Sequence, residues 1–243
     1  MSALSFHSVT RYSQGGGSQG RLSTFKRNVK KFYGLSGASV ENDLPSENDS
    51  ANNLSVENDL FDMASGKKLR HGSIIAAHIF QFKWRGSLSL FTSLTDINDV
   101  RNALLLYKPV EDAFDTARLC IDTGGQTMRF RLLDETLRTT KLADRAVTLR
   151  KAAKRETPQT PAEMALEDTF GDLDGRELFF PQECSNRPSK RLLALHGRAA
   201  LIFAKAAYEV PEAVVPHLHR DMTGSVSDDL RTKVAFECLS LFW

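Results

Sequence analysis

The sequence has few cysteines and no long apolar run. Cys120, Cys184 and Cys238 lie far apart and form no Cys-x-x-Cys pair, so their spacing predicts neither a disulfide framework nor a zinc knuckle. No uncharged stretch approaches the ~20 apolar residues that a membrane-spanning helix needs. Residues 1–20 lack the apolar centre of a secretory signal, which favours a reducing compartment.

Common catalytic signatures are also missing: there is no GxxxxGK[ST], HExxH or GxSxG, and no GxGxxG after a strand. His217 and His219 would point to different faces of a helix, and no convincing ligand accompanies them, so we expect no metal site. Cys184 and His196 are the nearest Cys/His pair, without a group that orients the imidazole. His78, within an aromatic strand, is typical of a hydrogen-bonded core histidine. We therefore expect that the protein is not an enzyme and binds no cofactor. The alternative is an enzyme without a recognisable motif.

Charge is balanced over the whole chain but not locally. The 32 Lys+Arg and 30 Asp+Glu give a net charge of +2. Residues 1–34 hold six bases and no acid, whereas residues 35–66 hold seven acids and no base. The acidic segment repeats one hexapeptide, SVENDL, and is rich in Ser and Asn. Such a composition predicts disorder, so we expect a flexible arm over 1–68, with an acidic linker at 35–66, and a globular domain over 69–243.

A basic amphipathic helix is predicted over residues 21–34. Its apolar residues recur three or four positions apart, and its bases lie mainly on the opposite face. This pattern predicts binding to an anionic membrane surface. Docking on a partner or on the chain's own domain, and a nucleic-acid or nuclear-import segment, are alternatives. The predicted membrane-binding residues are Leu22, Phe25, Lys26, Arg27, Val29, Lys30, Lys31, Phe32 and Tyr33.

The fold class predicted for the remainder is α+β: a mostly antiparallel β-sheet with packed helices, preceded by the disordered charged arm. Strands are expected where apolar and polar residues alternate, and helices where apolar residues follow a capping residue and first-turn acids. The predicted strands are 74–85, 87–92, 118–121, 126–132, 177–181, 192–195 and 199–207. The first two are expected to form one antiparallel hairpin, and the next two another. The predicted helices are 95–107, which Pro109 is expected to end, 110–117, 211–219 and 227–242, and 157–175 is predicted to be an exposed loop.

A second basic segment runs from 138 to 155, with seven bases and one acid. Its apolar stripe is thin, so we predict a solvated basic helix or arm. This charge density is typical of a surface for phosphate or for an acidic protein face, and a merely solvated face is the alternative. The residues predicted to bind a nucleocapsid or another partner are Arg138, Lys141, Arg145, Arg150, Lys151, Lys154 and Arg155.

Three stretches carry a resemblance to a known family. Residues 79–106 combine an aromatic strand, a second strand and a capped helix; residues 174–190 hold a Gly-Arg-aromatic-Pro segment and a basic loop; residues 212–241 lead from an apolar stretch to a final helix. Together with the basic arm and acidic linker, these features resemble rhabdovirus matrix proteins. The proline-rich budding motifs of many such proteins, Pro-Pro-x-Tyr and Pro-[Ser/Thr]-Ala-Pro, are absent.

The resemblance implies a structural protein of the virion, situated between envelope and nucleocapsid and, in the host, in the cytoplasm and on the inner membrane surface. It implies self-association into homo-oligomers, binding to the anionic inner leaflet and condensation of the viral nucleoprotein–RNA complex during assembly and budding. The viral glycoprotein tail as a partner, and entry into the nucleus, stay open. The alternative function is a nucleic-acid-binding viral movement or transport protein, because residues 126–134 resemble a strand-plus-Asp element of that group.

Overall fold

The computed structural model describes residues 18–35, 59–155, 158–208 and 210. Within these ranges the strands form three antiparallel pairs, and helices pack around them. The predicted α+β class is therefore confirmed; the predicted helices at 211–219 and 227–242 lie outside the described residues. The elements are α1 (Ser18–Phe32), β1 (Asp59–Phe61), β2 (Lys68–Arg70), β3 (Ile74–His78), α2 (Leu88–Phe91), β4 (Ala103–Tyr107), α3 (Lys108–Asp115), β5 (Leu119–Asp122), β6 (Arg129–Leu132), α4 (Leu142–Ala152), α5 (Pro161–Met164), α6 (Phe170–Leu173) and α7 (Lys190–Ala207).

The centre of the fold is a β3–β4 hairpin followed directly by α3. Ile74 pairs with Tyr107 and His78 pairs with Ala103, so the two strands align over their full length. Pro109 lies in the first turn of α3. A proline is tolerated there because the first helical N–H groups have no partner within the helix. Pro109 therefore begins this helix, whereas the sequence suggested that it ends one.

The hairpin partner of β3 was predicted wrongly. The sequence placed it at 87–92 and placed a helix at 95–107, but α2 occupies 88–91 and β4 occupies 103–107. All five residues of β4 are buried. A strand buried on both faces has a continuous apolar run, whose spacing does not distinguish it from a buried helix. The strand predicted at 74–85 likewise ends at His78, and a 3-10 helix follows at Phe82–Ser87.

Two segments assigned to the flexible arm are folded. α1 confirms the helix predicted at 21–34, and Phe25, Val29 and Tyr33 lie in the hydrophobic core. β1, within the predicted linker, pairs with β2, and the expected boundary between residues 68 and 69 falls inside β2. The buried Asp62 after β1 accepts a hydrogen bond from the Tyr107 N–H at 2.8 Å. This bond fastens the β1–β2 pair to β4.

The second predicted hairpin is confirmed, since β5 pairs with β6 through Leu119–Leu132 and Asp122–Arg129. Behind it lies α7, where the sequence suggested two strands, at 192–195 and 199–207. The apolar residues of this segment are nearly continuous, a pattern that does not distinguish a buried strand from a buried helix, but the segment is rich in Ala and Leu, which have high helix propensity. Small residues of α7, including Ala200 and Ala204, pack in a cluster with Cys120 of β5.

The predicted exposed loop at 157–175 contains two short helices. α5 and α6 each begin with a capping box, in which the N-cap threonine and an acid three residues later bond each other's backbone N–H. No strand forms at 177–181, where Glu177 makes only an isolated bridge with Arg129. None of the helices in the described ranges is long and apolar enough to cross a bilayer.

Candidate functional site

His78 lies at the end of β3, where that strand meets the start of β4. Its imidazole stacks on the Phe25 ring of α1, with ring centroids 4.4 Å apart and planes 8° from parallel. Its Nε2 lies 3.2 Å from Asn98 Oδ1. When Nε2 carries the proton and donates to Asn98, Nδ1 becomes the proton-accepting nitrogen of the ring. The site therefore holds an imidazole in one orientation and favours one tautomer.

The environment of His78 keeps its imidazole uncharged at neutral pH. Burial lowers the pKa of His78, and this effect exceeds the opposite effects of the Asn98 hydrogen bond and the Asp96 carboxylate. An uncharged imidazole can accept a proton from water or from a hydroxyl group. The chemistry that the position supports is general-base catalysis.

Asn102 fixes the segment that connects β3 to β4. Its side chain is fully buried, and its Oδ1 accepts a hydrogen bond from the Phe80 N–H at 2.8 Å. Its Nδ2 donates to the carbonyl oxygens of Ile97, at 2.8 Å, and Phe80, at 3.2 Å. Its backbone carbonyl accepts from the Ile79 N–H at 3.0 Å. Asn102 thereby joins the two ends of the connection beside His78 and acts as a positioning residue.

An acidic pair lies on α3, which follows β4. Glu111 is almost fully buried and forms an ion pair with Lys108. Burial, together with the negative charge of Glu111, raises the pKa of Asp115 well above its usual range. The backbone carbonyl of Asp115 accepts a hydrogen bond from Gln81 Nε2 at 3.1 Å, which places the end of α3 next to the segment after His78. This shift favours the neutral acid form of Asp115.

The predicted membrane-binding stripe faces the protein interior. Phe25, Val29 and Tyr33 are buried, and the Tyr33 hydroxyl donates to the Ala103 carbonyl at 2.8 Å. Phe32 packs partly against the same core, and the side chain of Leu22 lies outside the described side chains. In the structure the apolar stripe of this segment therefore packs on the chain's own domain, which is one of the alternatives that the sequence left open. Lipid binding through these side chains would require α1 to leave the core.

The basic side chains of α1 have two different environments. Lys26 is partly buried, and its ammonium group donates to the backbone carbonyls of His71, at 2.5 Å, and Ile74. Lys30 is half-buried at the edge of the helix, whereas Arg27 and Lys31 are exposed. α1 therefore has one lysine used in packing and a basic outer face.

Four of the seven bases predicted to bind a partner are instead paired within the chain. Arg145 bonds Asp112 of α3 at 2.9 Å, and Arg150 bonds the buried Glu163 of α5 at 2.8 Å. Arg138 pairs with Glu135 and Asp174, and Lys141 pairs with Glu167. The acids come largely from the segment at 157–175, which the sequence suggested to be a separate acidic loop. Lys151, Lys154 and Arg155 stay exposed.

The Cys/His pair noted in the sequence is not brought together by any described contact. The Cys184 thiol contacts the carbonyls of Phe32 and Asn186, at 3.8 and 3.7 Å. His196 stacks on Phe114, with centroids 3.7 Å apart, and its Nε2 lies 3.2 Å from the Phe114 carbonyl oxygen. Both residues have structural partners. His217 and His219 lie outside the described residues.

Comparison with known proteins gives one family for this region. The model of a family described as HNH endonuclease matches residues 59–122. The match begins at β1 and ends with β5, so it includes His78, Asn102 and the β3–β4–α3 unit. It covers about a quarter of the chain. No curated protein and no solved structure matches.

This HNH match corrects the main functional expectations. The resemblance to rhabdovirus matrix proteins is wrong: the stretch that carried most of it, 79–106, lies inside the HNH match and has a different secondary structure. The expected function of a viral matrix protein is wrong for the same reason, as are the associated roles in virion structure and budding. Residues 126–134, which carried the alternative of a nucleic-acid-binding movement protein, lie outside the match. The expectation of a non-enzyme is also contradicted, because the matched family is one of endonucleases.

Many nucleases use divalent cations, so we tested whether the residues here fit one. In the ranges that the structure describes, no group of three or more His, Cys, Asp or Glu side chains could hold a metal ion. The acidic pair of α3 is a poor ligand set, because Glu111 is paired with Lys108 and the raised pKa of Asp115 favours its neutral acid. The described side chains do not fit a divalent cation in this conformation.

The sequence contained signals for part of this site. His78 was noted, but its partner Asn98 lies twenty positions further on, in a segment whose fold was predicted wrongly. Asn102 stands immediately before the apolar run of β4, and such a polar residue at the border of a buried strand needs a hydrogen-bonding role. Without the position of the 79–102 connection, its partners could not be identified.

Proposed function

We propose that this protein is an endonuclease that cleaves nucleic acid, with His78 of its HNH-like segment as the general base. The observation that carries the proposal is the HNH endonuclease match over 59–122, which contains His78 at the β3–β4 junction. The orientation of the imidazole by Asn98 and Phe25, and its lowered pKa, fit a residue that accepts a proton at neutral pH.

In this function, His78 accepts a proton from the attacking water or hydroxyl group while the phosphodiester bond is cleaved. Asn98 holds the ring through Nε2, and Asn102 holds the connection that carries Asn98. The residues named here supply orientation and proton transfer.

The test is a cleavage assay with the full-length protein and a His78→Ala variant. Supercoiled plasmid, single-stranded DNA and RNA are each incubated with Mg²⁺, Mn²⁺, Zn²⁺ or EDTA. The matched control is His71→Ala, since His71 also lies in the matched segment but contacts α1 only through its backbone carbonyl in the described contacts. Circular dichroism checks that each variant is folded.

We expect cleavage of at least one substrate by the wild-type protein and by the His71 variant. The His78 variant should be at least about a hundredfold slower, the usual contribution of general-base catalysis. The wild-type rate should decline only below about pH 6.5, because the pKa of His78 is lowered from that value. Absence of cleavage under every condition would refute the proposed function, and equal rates for both variants would remove His78 from the mechanism.

A further inference from the structure

α1 lies outside the HNH match but is fixed directly on it. Its Phe25 ring covers one face of the His78 ring, and the hydroxyl of Tyr33, which directly follows α1, donates to the carbonyl of Ala103, the first residue of β4. At its C-terminal end, the carbonyl of Phe32 accepts a hydrogen bond from Asn186 Nδ2 at 2.5 Å. Any charge on the outer face of α1 is therefore held at a defined position on the helix whose inner face covers His78.

This outer face is strongly basic. The sequence of α1, SQGRLSTFKRNVKKF, contains five bases and no acid. Arg27 and Lys31 are one turn apart, about 6 Å along the axis, and Lys30 borders them. Among the described side chains, no acid forms an ion pair with these three residues. In α4, by contrast, Arg145 and Arg150 are both paired with acids, and the exposed bases are Lys151 near its end and Lys154 and Arg155 just after it.

The groups around α1 also indicate uncompensated positive charge. Burial, reinforced by the charge of Lys30, lowers the pKa of Lys26 to about 8. Burial, reinforced by Lys26 and Lys30, lowers the pKa of His71 to about 4. Neither shift has a carboxylate among its causes. Among the charged groups that contribute to these two shifts, all are positive.

We propose that Arg27, Lys30 and Lys31 of α1 bind the phosphate backbone of a nucleic acid. A helix that binds membranes needs an apolar face for the lipid, and the apolar face of α1 is buried in the core. A helix face that carries only basic side chains binds a polyanion favourably, because binding releases counterions from the polyanion. The proposal rests on the proposed function for its ligand, but it concerns binding and not cleavage.

The test compares two triple variants. The first, Arg27→Gln with Lys30→Gln and Lys31→Gln, removes three charges from α1. The control, Lys151→Gln with Lys154→Gln and Arg155→Gln, removes three exposed charges from the end of α4 and the loop after it. Binding to a fluorescent DNA duplex is measured by anisotropy between about 50 and 300 mM NaCl, with EDTA present to suppress cation-dependent cleavage.

We expect the α1 variant to bind at least tenfold more weakly at low salt. The magnitude of its slope of log K against log salt should be smaller by up to about 3, because each lost phosphate contact contributes ~0.9 to that slope. The control should retain most of the affinity. Unchanged binding by the α1 variant, or an equal loss in both variants, would overturn the proposal. So would an α1 variant that loses binding only to phosphatidylserine vesicles while its DNA binding is unchanged.

Failure here is distinguishable from failure of the proposed function. If the protein binds DNA through α1 but cleaves no substrate, the binding surface stands and the nuclease assignment falls. If His78-dependent cleavage is found and its KM is the same in the α1 variant and the wild type, the nuclease assignment stands and the binding surface falls.

Discussion

Protonation of His196 should destabilise the protein at mildly acidic pH. This histidine of α7 is buried, its ring stacks on Phe114, and its Nδ1 has no hydrogen-bond partner among the described residues. Burial lowers the pKa of His196 to about 4, against the smaller opposite effect of the Phe114 carbonyl. A proton on the buried ring would add a charge without a neighbouring acid.

The sign and size of the effect follow from this pKa. In the unfolded chain a histidine has a pKa of about 6.5, so the unfolded state binds the proton more tightly than the folded state. The stability contributed by this group is present above about pH 6.5 and is lost as the pH falls toward 4. For the pKa of about 4 in the folded state, the loss is about 2 kcal/mol at pH 5 and about 3 kcal/mol at pH 4.

The assay is urea denaturation at pH 7, 6, 5 and 4.5, with the wild-type protein and a His196→Gln variant, whose side chain does not titrate. Because other groups also titrate in this range, the measured quantity is the difference between the two pH profiles. The free energy of unfolding of the wild type minus that of the variant should decrease by about 2 kcal/mol from pH 7 to pH 5. Leu201→Ala, a core change in the same helix, is the control and should keep the wild-type pH dependence. Parallel profiles for wild type and His196→Gln would refute the reasoning.

Three further changes test the fold around the site by denaturation. Asn102→Ala leaves buried backbone groups unpaired and should cost about 3 kcal/mol; a loss below about 1 kcal/mol would contradict its role. Arg150→Ala leaves the buried Glu163 carboxylate without its cation and should cost about 3 kcal/mol, whereas the exposed neighbour change Lys151→Ala should stay within about 0.5 kcal/mol. Gly171→Ala places a methyl group 2.8 Å from a backbone carbonyl oxygen and should cost about 1–3 kcal/mol; an unchanged midpoint would count against this packing.

Local patterns in the sequence were sufficient for elements whose spacing has one interpretation. α1 and the β5–β6 hairpin were predicted because their periodicities differ clearly between helix and strand. β4 and α7 were not, since a continuous apolar run and an Ala-rich run fit more than one structure until their neighbours are known. Because β4 was predicted to be part of a helix, β3 was given the wrong partner strand. The contact between His78 and Asn98 could therefore not be predicted.

The charges show a similar limit. The sequence contained two basic segments, both candidates for binding a partner, and it could not show which bases are neutralised by acids distant in the chain. In the structure, Arg145 and Arg150 of α4 are used to hold α3 and α5, and their charge stabilises the fold. In α1 the apolar stripe is buried, and the bases opposite it are left without described acids. Since a fold gains little from exposed charges of one sign, which repel each other, such a face is best explained by an anionic ligand. The control variant removes the same number of exposed charges at another place in the fold, so it separates the effect of the position of the charge from the effect of its amount.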